Sequence, residues 1–60
     1  MEQPLYQVVF DRWDSYREQH VVQTGYIRAD SAESARAQAY WIYGDLIDIS
    51  QVVLLDSLLD

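Results

Sequence analysis

Sixty residues carry ten carboxylates against four arginines and no lysine, a formal net charge of −6, with half the residues apolar. A chain this short makes one domain, residues 1–60, and folding hides only about 60 % of the surface its unfolded form exposes, so its core is thin. The absence of Cys excludes a disulfide framework and a thiolate metal site, and the acidity argues against direct binding to the phosphate backbone of nucleic acid.

In chain order, Met1 to Pro4 is a short lead-in, with Pro4 tolerated at the start of a strand. Leu5 to Trp13 is rich in aromatic and β-branched residues and predicts a first strand. Asp14-Ser15-Tyr16-Arg17 is polar enough for a turn but lacks the Asn-Gly or Asp-Gly pair of the tightest hairpins. A second strand is expected from about Glu18 to Arg28, where Gly25 marks a bulge or a place where another backbone comes close. Asp30 or Ser31 is suited to cap a helix, with Glu33 at capping-box spacing from Asp30, and Ala32, Ala35, Ala37 and Ala39 favour helix intrinsically. Gly44 is placed to end that helix, and Ile49 to Leu55 reads as a third strand. Asp56 to Asp60 fits a short strand, an end or a tail.

The expected fold class is therefore α+β, in the order β-β-α-β. The first two strands make an antiparallel hairpin. A right-handed crossover through the helix places the third strand antiparallel beside the first, so the three-stranded antiparallel sheet has order 2-1-3 with one helix on one face.

A sheet covered on one side should alternate apolar and polar residues, and these strands do not. Tyr6, Val8 and Phe10 point one way in the first strand, and Leu5, Val9 and Trp13 the other. In the third, strict alternation puts Ile49, Val53 and Leu55 on one face and Val52 and Leu54 on the other, with Ser50 and Asp56. Both faces are greasy and one helix is available, so a second layer is expected from another copy, another protein or Leu58-Leu59. On a helical wheel of about 100° per residue, Ala32, Ala35, Ala39, Ile42 and Leu46 form the expected core stripe. Tyr40 and Trp41 fall well off it: they either curl over the helix end to cover the sheet edge or serve as contact anchors, since large aromatics bring much area at small entropy cost.

Chemistry is sparse. No Gly-rich phosphate loop, paired Cys or Gly-x-Ser-x-Gly turn occurs. His20, the one histidine, lies in a predicted strand beside Val21 and Val22 and reads as structural or exposed. Asp45 and Asp48 are spaced too widely for a calcium loop. No catalytic residue, metal site or cofactor is expected, and the chain reads as a non-enzyme. No apolar run approaches the roughly 20 residues that span a bilayer, so no membrane contact is expected and a cytoplasmic protein is.

The stretch Ile27-Arg28-Ala29 followed by Asp30-Ser31-Ala32-Glu33-Ser34-Ala35-Arg36-Ala37 resembles the strand-to-helix joint of small β-β-α-β proteins encoded by phages and plasmids. Size, acidity and absence of catalytic motifs are similar to those of phage inhibitors of host defence, the anti-CRISPR proteins among them. Those inhibitors share no sequence motif, so no functional residue carries over. The resemblance implies a mode of action: a compact acidic protein, sometimes dimeric, occupying the basic groove of a nucleic-acid-handling complex in the host cytoplasm. On that expectation Asp45, Asp48 and Asp56 supply charge contacts, Tyr40 and Trp41 supply anchors, and the partner is a protein with a basic surface. The alternative expectation is a structural or assembly module that forms a homodimer, or docks in a larger particle, through its uncovered sheet face.

Overall fold

A computed structural model describes residues 3–55; the expectation for Asp56 and the residues after it lies outside them. The elements run β1 (Leu5–Asp14), β2 (Gln19–Arg28), α1 (Ala32–Tyr43) and β3 (Asp48–Leu54). Both strand pairs are antiparallel and the sheet order is β2-β1-β3, the ββαβ arrangement read from the sequence. The helix packs on all three strands.

The β1–β2 ladder is continuous from Leu5 opposite Arg28 to Asp14 opposite Gln19, so Gly25 is not a bulge. The four residues between the strands turn without glycine. Asp14 does the organising, accepting hydrogen bonds from the backbone N–H of Tyr16 (3.0 Å) and Arg17 (3.3 Å), while Glu18 takes the left-handed conformation with φ 54°.

The buried core is Tyr6, Val8, Phe10, Ile27, Ala29, Ala35, Ala39, Ile47 and Ile49, with Tyr40 and Val52 packed against it. Two sequence expectations are corrected here. On β3 the register steps from Gln51 opposite Val9 to Ile49 opposite Phe10, leaving Ser50 over as a bulge. Ser50 Oγ donates to the Val9 carbonyl at 3.1 Å across the irregularity. That extra residue reverses the alternation, so Ile49 shares the helix-covered face with Val52 and Leu54, while Val53 faces the other way. On α1, Ala32, Ile42 and Leu46 do not reach the core: all three are exposed, the last two by 60 and 91 %. The stripe that meets the sheet is Ala35, Ala39 and Tyr43, flanked by Tyr40. Tyr43 stacks on Phe10 with ring centroids 4.6 Å apart. It also lies over Gly25, where an added Cβ would come within 2.1 Å of Tyr43 Oη. The expected close approach at Gly25 is thus real, but its partner is a side chain rather than a backbone.

Ser31, not Asp30, is the N-cap: its Oγ accepts from the Ser34 N–H at 3.1 Å. Gly44 closes the other end with φ 101° and an N–H bonded to the Tyr40 carbonyl at 3.1 Å. Removing the cap hydroxyl (Ser31→Ala) is expected to lower stability by about 1 kcal/mol, read as a shift in the urea midpoint. Asp30→Ala should leave that midpoint within about 0.5 kcal/mol of wild type.

Candidate functional site

Helical geometry alone fixes what happens beside the buried pair Ala35 and Ala39. Tyr40, one residue or about 100° beyond Ala39, turns half inward and lies on the core margin. Trp41, a further 100° round, points away and is 89 % exposed. Gly44 then stops the helix, so Asp45 and Leu46 lie in the connection to β3 and both are exposed. Ala37, Tyr40, Trp41, Gly44 and Asp45 line an open depression of about 580 Å³.

The electrostatics of this corner are one-sided. A helix C-terminus carries a partial negative charge, no basic residue stands in the last turn, and Asp45 adds a full one. A large indole face beside a carboxylate and a negative helix end suits a cation. A guanidinium or ammonium group gains from the ring quadrupole and from the carboxylate together.

Of the five residues singled out from the sequence, the fold brings Tyr40, Trp41 and Asp45 to one place. Asp48 is separated from them. It stands opposite Asp11 at the start of β3, on the sheet face the helix leaves open. Asp56 is outside the described residues.

That open face is the feature periodicity only half disclosed. Trp13, Val22 and Tyr26 are 52, 68 and 60 % exposed on it, with Leu5, Val9 and Val53 half-buried between them. At its hairpin end His20 Nδ1 lies 2.6 Å from Asp11 Oδ1. A carboxylate accepts, so Nδ1 carries the proton in this contact. Trp13 meets the same imidazole edge-on, centroids 5.2 Å apart. The side chains around His20 on this face are Trp13 opposite, Asp11 on the diagonal and Val22 along the strand. The signal for this group was present in the sequence as the antiparallel register: a four-residue turn after Asp14 sets Trp13 against His20.

No group of three or more His, Asp or Glu side chains placed to hold a metal ion occurs among the described residues, and no described helix is long and apolar enough to cross a membrane. Comparison with family models, with curated proteins and with solved structures finds no match.

Proposed function

We propose that the chain is a non-enzymatic protein-binding module that seats the Tyr40–Trp41–Asp45 corner on a basic protein surface. The observation that supports this reading is the near-complete exposure of Trp41 beside Asp45 at a helix end without a compensating cation. An exposed tryptophan gains little from water and much from a flat cationic partner. The role it fits best is inhibition of a nucleic-acid-handling complex by occupation of the basic groove where that complex holds phosphate. The likeness of its strand-to-helix joint, size and acidity to those of phage-encoded inhibitors implies the same mode of action. Asp48 and Asp11, on the other face, extend the same negative sign and favour fast encounter with a basic partner.

Two measurements test it. In a Trp13→Phe background, the fluorescence of Trp41 reports titration with an arginine-rich peptide. Trp41→Ala, followed by calorimetry, should weaken binding about 30-fold, the effect of losing a hot-spot anchor worth roughly 2 kcal/mol. Asp45→Asn should weaken it about threefold to tenfold and flatten the salt dependence, since exposed charge contacts are screened over about 8–10 Å. Immobilised chain should retain nucleic-acid-handling proteins from bacterial lysate at low salt, and the Trp41→Ala chain should not. Equal binding by wild type and both variants would remove the reading.

A second reading is supported by a separate observation, the apolar open face with Tyr26, Val22 and Trp13 largely in solvent. It is an assembly module whose second layer is another copy or a larger particle. A strict monomer at high concentration in light scattering would reject its homodimeric form.

A further inference from the structure

We infer that the outer edge of β2 is a self-pairing surface: two copies join antiparallel, β2 to β2, into one continuous six-stranded sheet. The inference rests on the assembly reading and moves its contact from the face of the sheet to its edge.

The direction of the backbone groups follows from two hydrogen bonds. The Ala29 N–H donates to the Pro4 carbonyl at 3.1 Å, and the Leu55 N–H donates to the Leu5 carbonyl at 2.9 Å. Antiparallel ladders alternate bonded and non-bonded pairs. Odd-numbered residues of β2 therefore direct their N–H and C=O toward β1. His20, Val22, Thr24 and Tyr26 direct theirs outward, and no strand lies beyond β2 among the described residues.

The two edges of the sheet are not alike. Natural edge strands resist pairing through charges, prolines, bulges or shortness. β3 has several of these: it is seven residues long, begins with Asp48 and is broken by the Ser50 bulge. β2 has none. It is ten residues long, in unbroken register, without proline, and is the one element free of Asp and Glu in a chain with ten of them. Two copies that each carry −6 can approach closely along this edge without opposing carboxylates on the joined strands.

The registers allowed are few. With the helices on the same side of the joined sheet, outward-directed residues must face outward-directed residues. Centring the two-fold axis on Thr24 does this and sets Val22 of one copy against Tyr26 of the other. That β-branched–aromatic pair covers part of each side chain now in solvent. On the helix-covered face the same register sets Val21 against Ile27. Three facing pairs around the axis supply on the order of six backbone hydrogen bonds. The helices do not collide: centred near β1, their axes lie about 14 Å apart at strand spacings of about 4.8 Å, beyond a helix diameter of about 10–12 Å.

The experiment compares three chains by light scattering and sedimentation up to ~1 mM. Thr24→Pro removes one outward N–H and no bond to β1, so it should fold and be monomeric. Val9→Lys places a charge at the centre of the open face and should leave the dimer intact. Hydrogen exchange on the wild type needs no variant: the amides of Val22, Thr24 and Tyr26 should slow about tenfold or more from micromolar to millimolar chain. If Thr24→Pro stays dimeric while Val9→Lys dissociates, the edge is wrong and a face-to-face assembly stands. If the wild type is monomeric throughout, or binds only a foreign strand at β2, both the inference and the homodimer are overturned. Should Thr24→Pro not fold, concentration-independent exchange at those three amides is the overturning result.

Discussion

Phe10→Ala is expected to leave the chain largely unfolded at 25 °C. Phe10 is 1 % exposed at the centre of β1 and is the largest of the side chains closed off completely. It touches the sheet on both sides and the Tyr43 ring above it. Truncating a buried phenylalanine costs about 3–5 kcal/mol, from lost transfer energy and from the cavity left behind. A domain of this size has roughly 3–9 kcal/mol in total, at about 0.05–0.15 kcal/mol per residue. The helix touches the sheet through alanines and Tyr43, so little else can collapse into the gap. Urea titration followed by far-ultraviolet circular dichroism checks it. Phe10→Leu, which keeps much of the volume, should retain a cooperative transition at lower urea. A Phe10→Ala chain with a wild-type midpoint would mean the core is organised elsewhere.

The second large effect is at Gly25. In most strands replacing glycine is helpful, because the unfolded chain loses freedom and a side chain gains contacts. Here an alanine Cβ would lie 2.1 Å from Tyr43 Oη and 2.6 Å from its ring carbon Cζ, and the ring must leave. Tyr43 then loses Phe10, and the core loses its lid. Gly25→Ala should cost about 1–3 kcal/mol, the range for overfilling a packed site. The sign reverses once the ring is gone. In a Tyr43→Ala background, itself destabilised, Gly25→Ala should be neutral or stabilising. The coupling energy of that double-mutant cycle should be about 1–2 kcal/mol. Additivity of the two substitutions would refute the assignment of Gly25 as the slot for Tyr43.

Why some of this was readable from residue order and some was not comes down to what each feature depends on. The hairpin, the helix start at Ser31, the stop at Gly44 and the 2-1-3 sheet rest on local chemistry: β-branched runs, a hydroxyl cap, a positive φ and the handedness of a crossover. Local chemistry is written in consecutive residues. Strict alternation gives the wrong faces for β3 because the Ser50 bulge is a one-residue phase shift, stabilised by a hydroxyl reaching the Val9 carbonyl. Hydrophobic patterning carries no trace of it. The helical wheel fails at the C-terminal end of α1 for a related reason. A wheel extended to Leu46 ignores that the helix ends at Tyr43, and it ranks Ile42 above Tyr43 without knowing that Gly25 opens a slot beneath the latter. Of the two places open to the off-stripe aromatics, Trp41 takes solvent, whereas Tyr40 rests half against the core. Asp45 joins Trp41, while Asp48 goes to the other face, because two intervening residues carry the chain from the helix to the sheet margin.

The hairpin end has a practical consequence. The described chain measures 41 × 20 × 14 Å, and its long dimension runs out along β1 and β2 to a turn whose Tyr16 is 96 % exposed. Between that turn and the core stands, on the helix side, a polar clasp, Arg12 Nε to Gln23 Oε1 at 2.7 Å. The last rungs of the ribbon can open without disturbing Phe10, so residues Ser15 to Glu18 are the natural insertion point for a reporter, an epitope or a crosslinker.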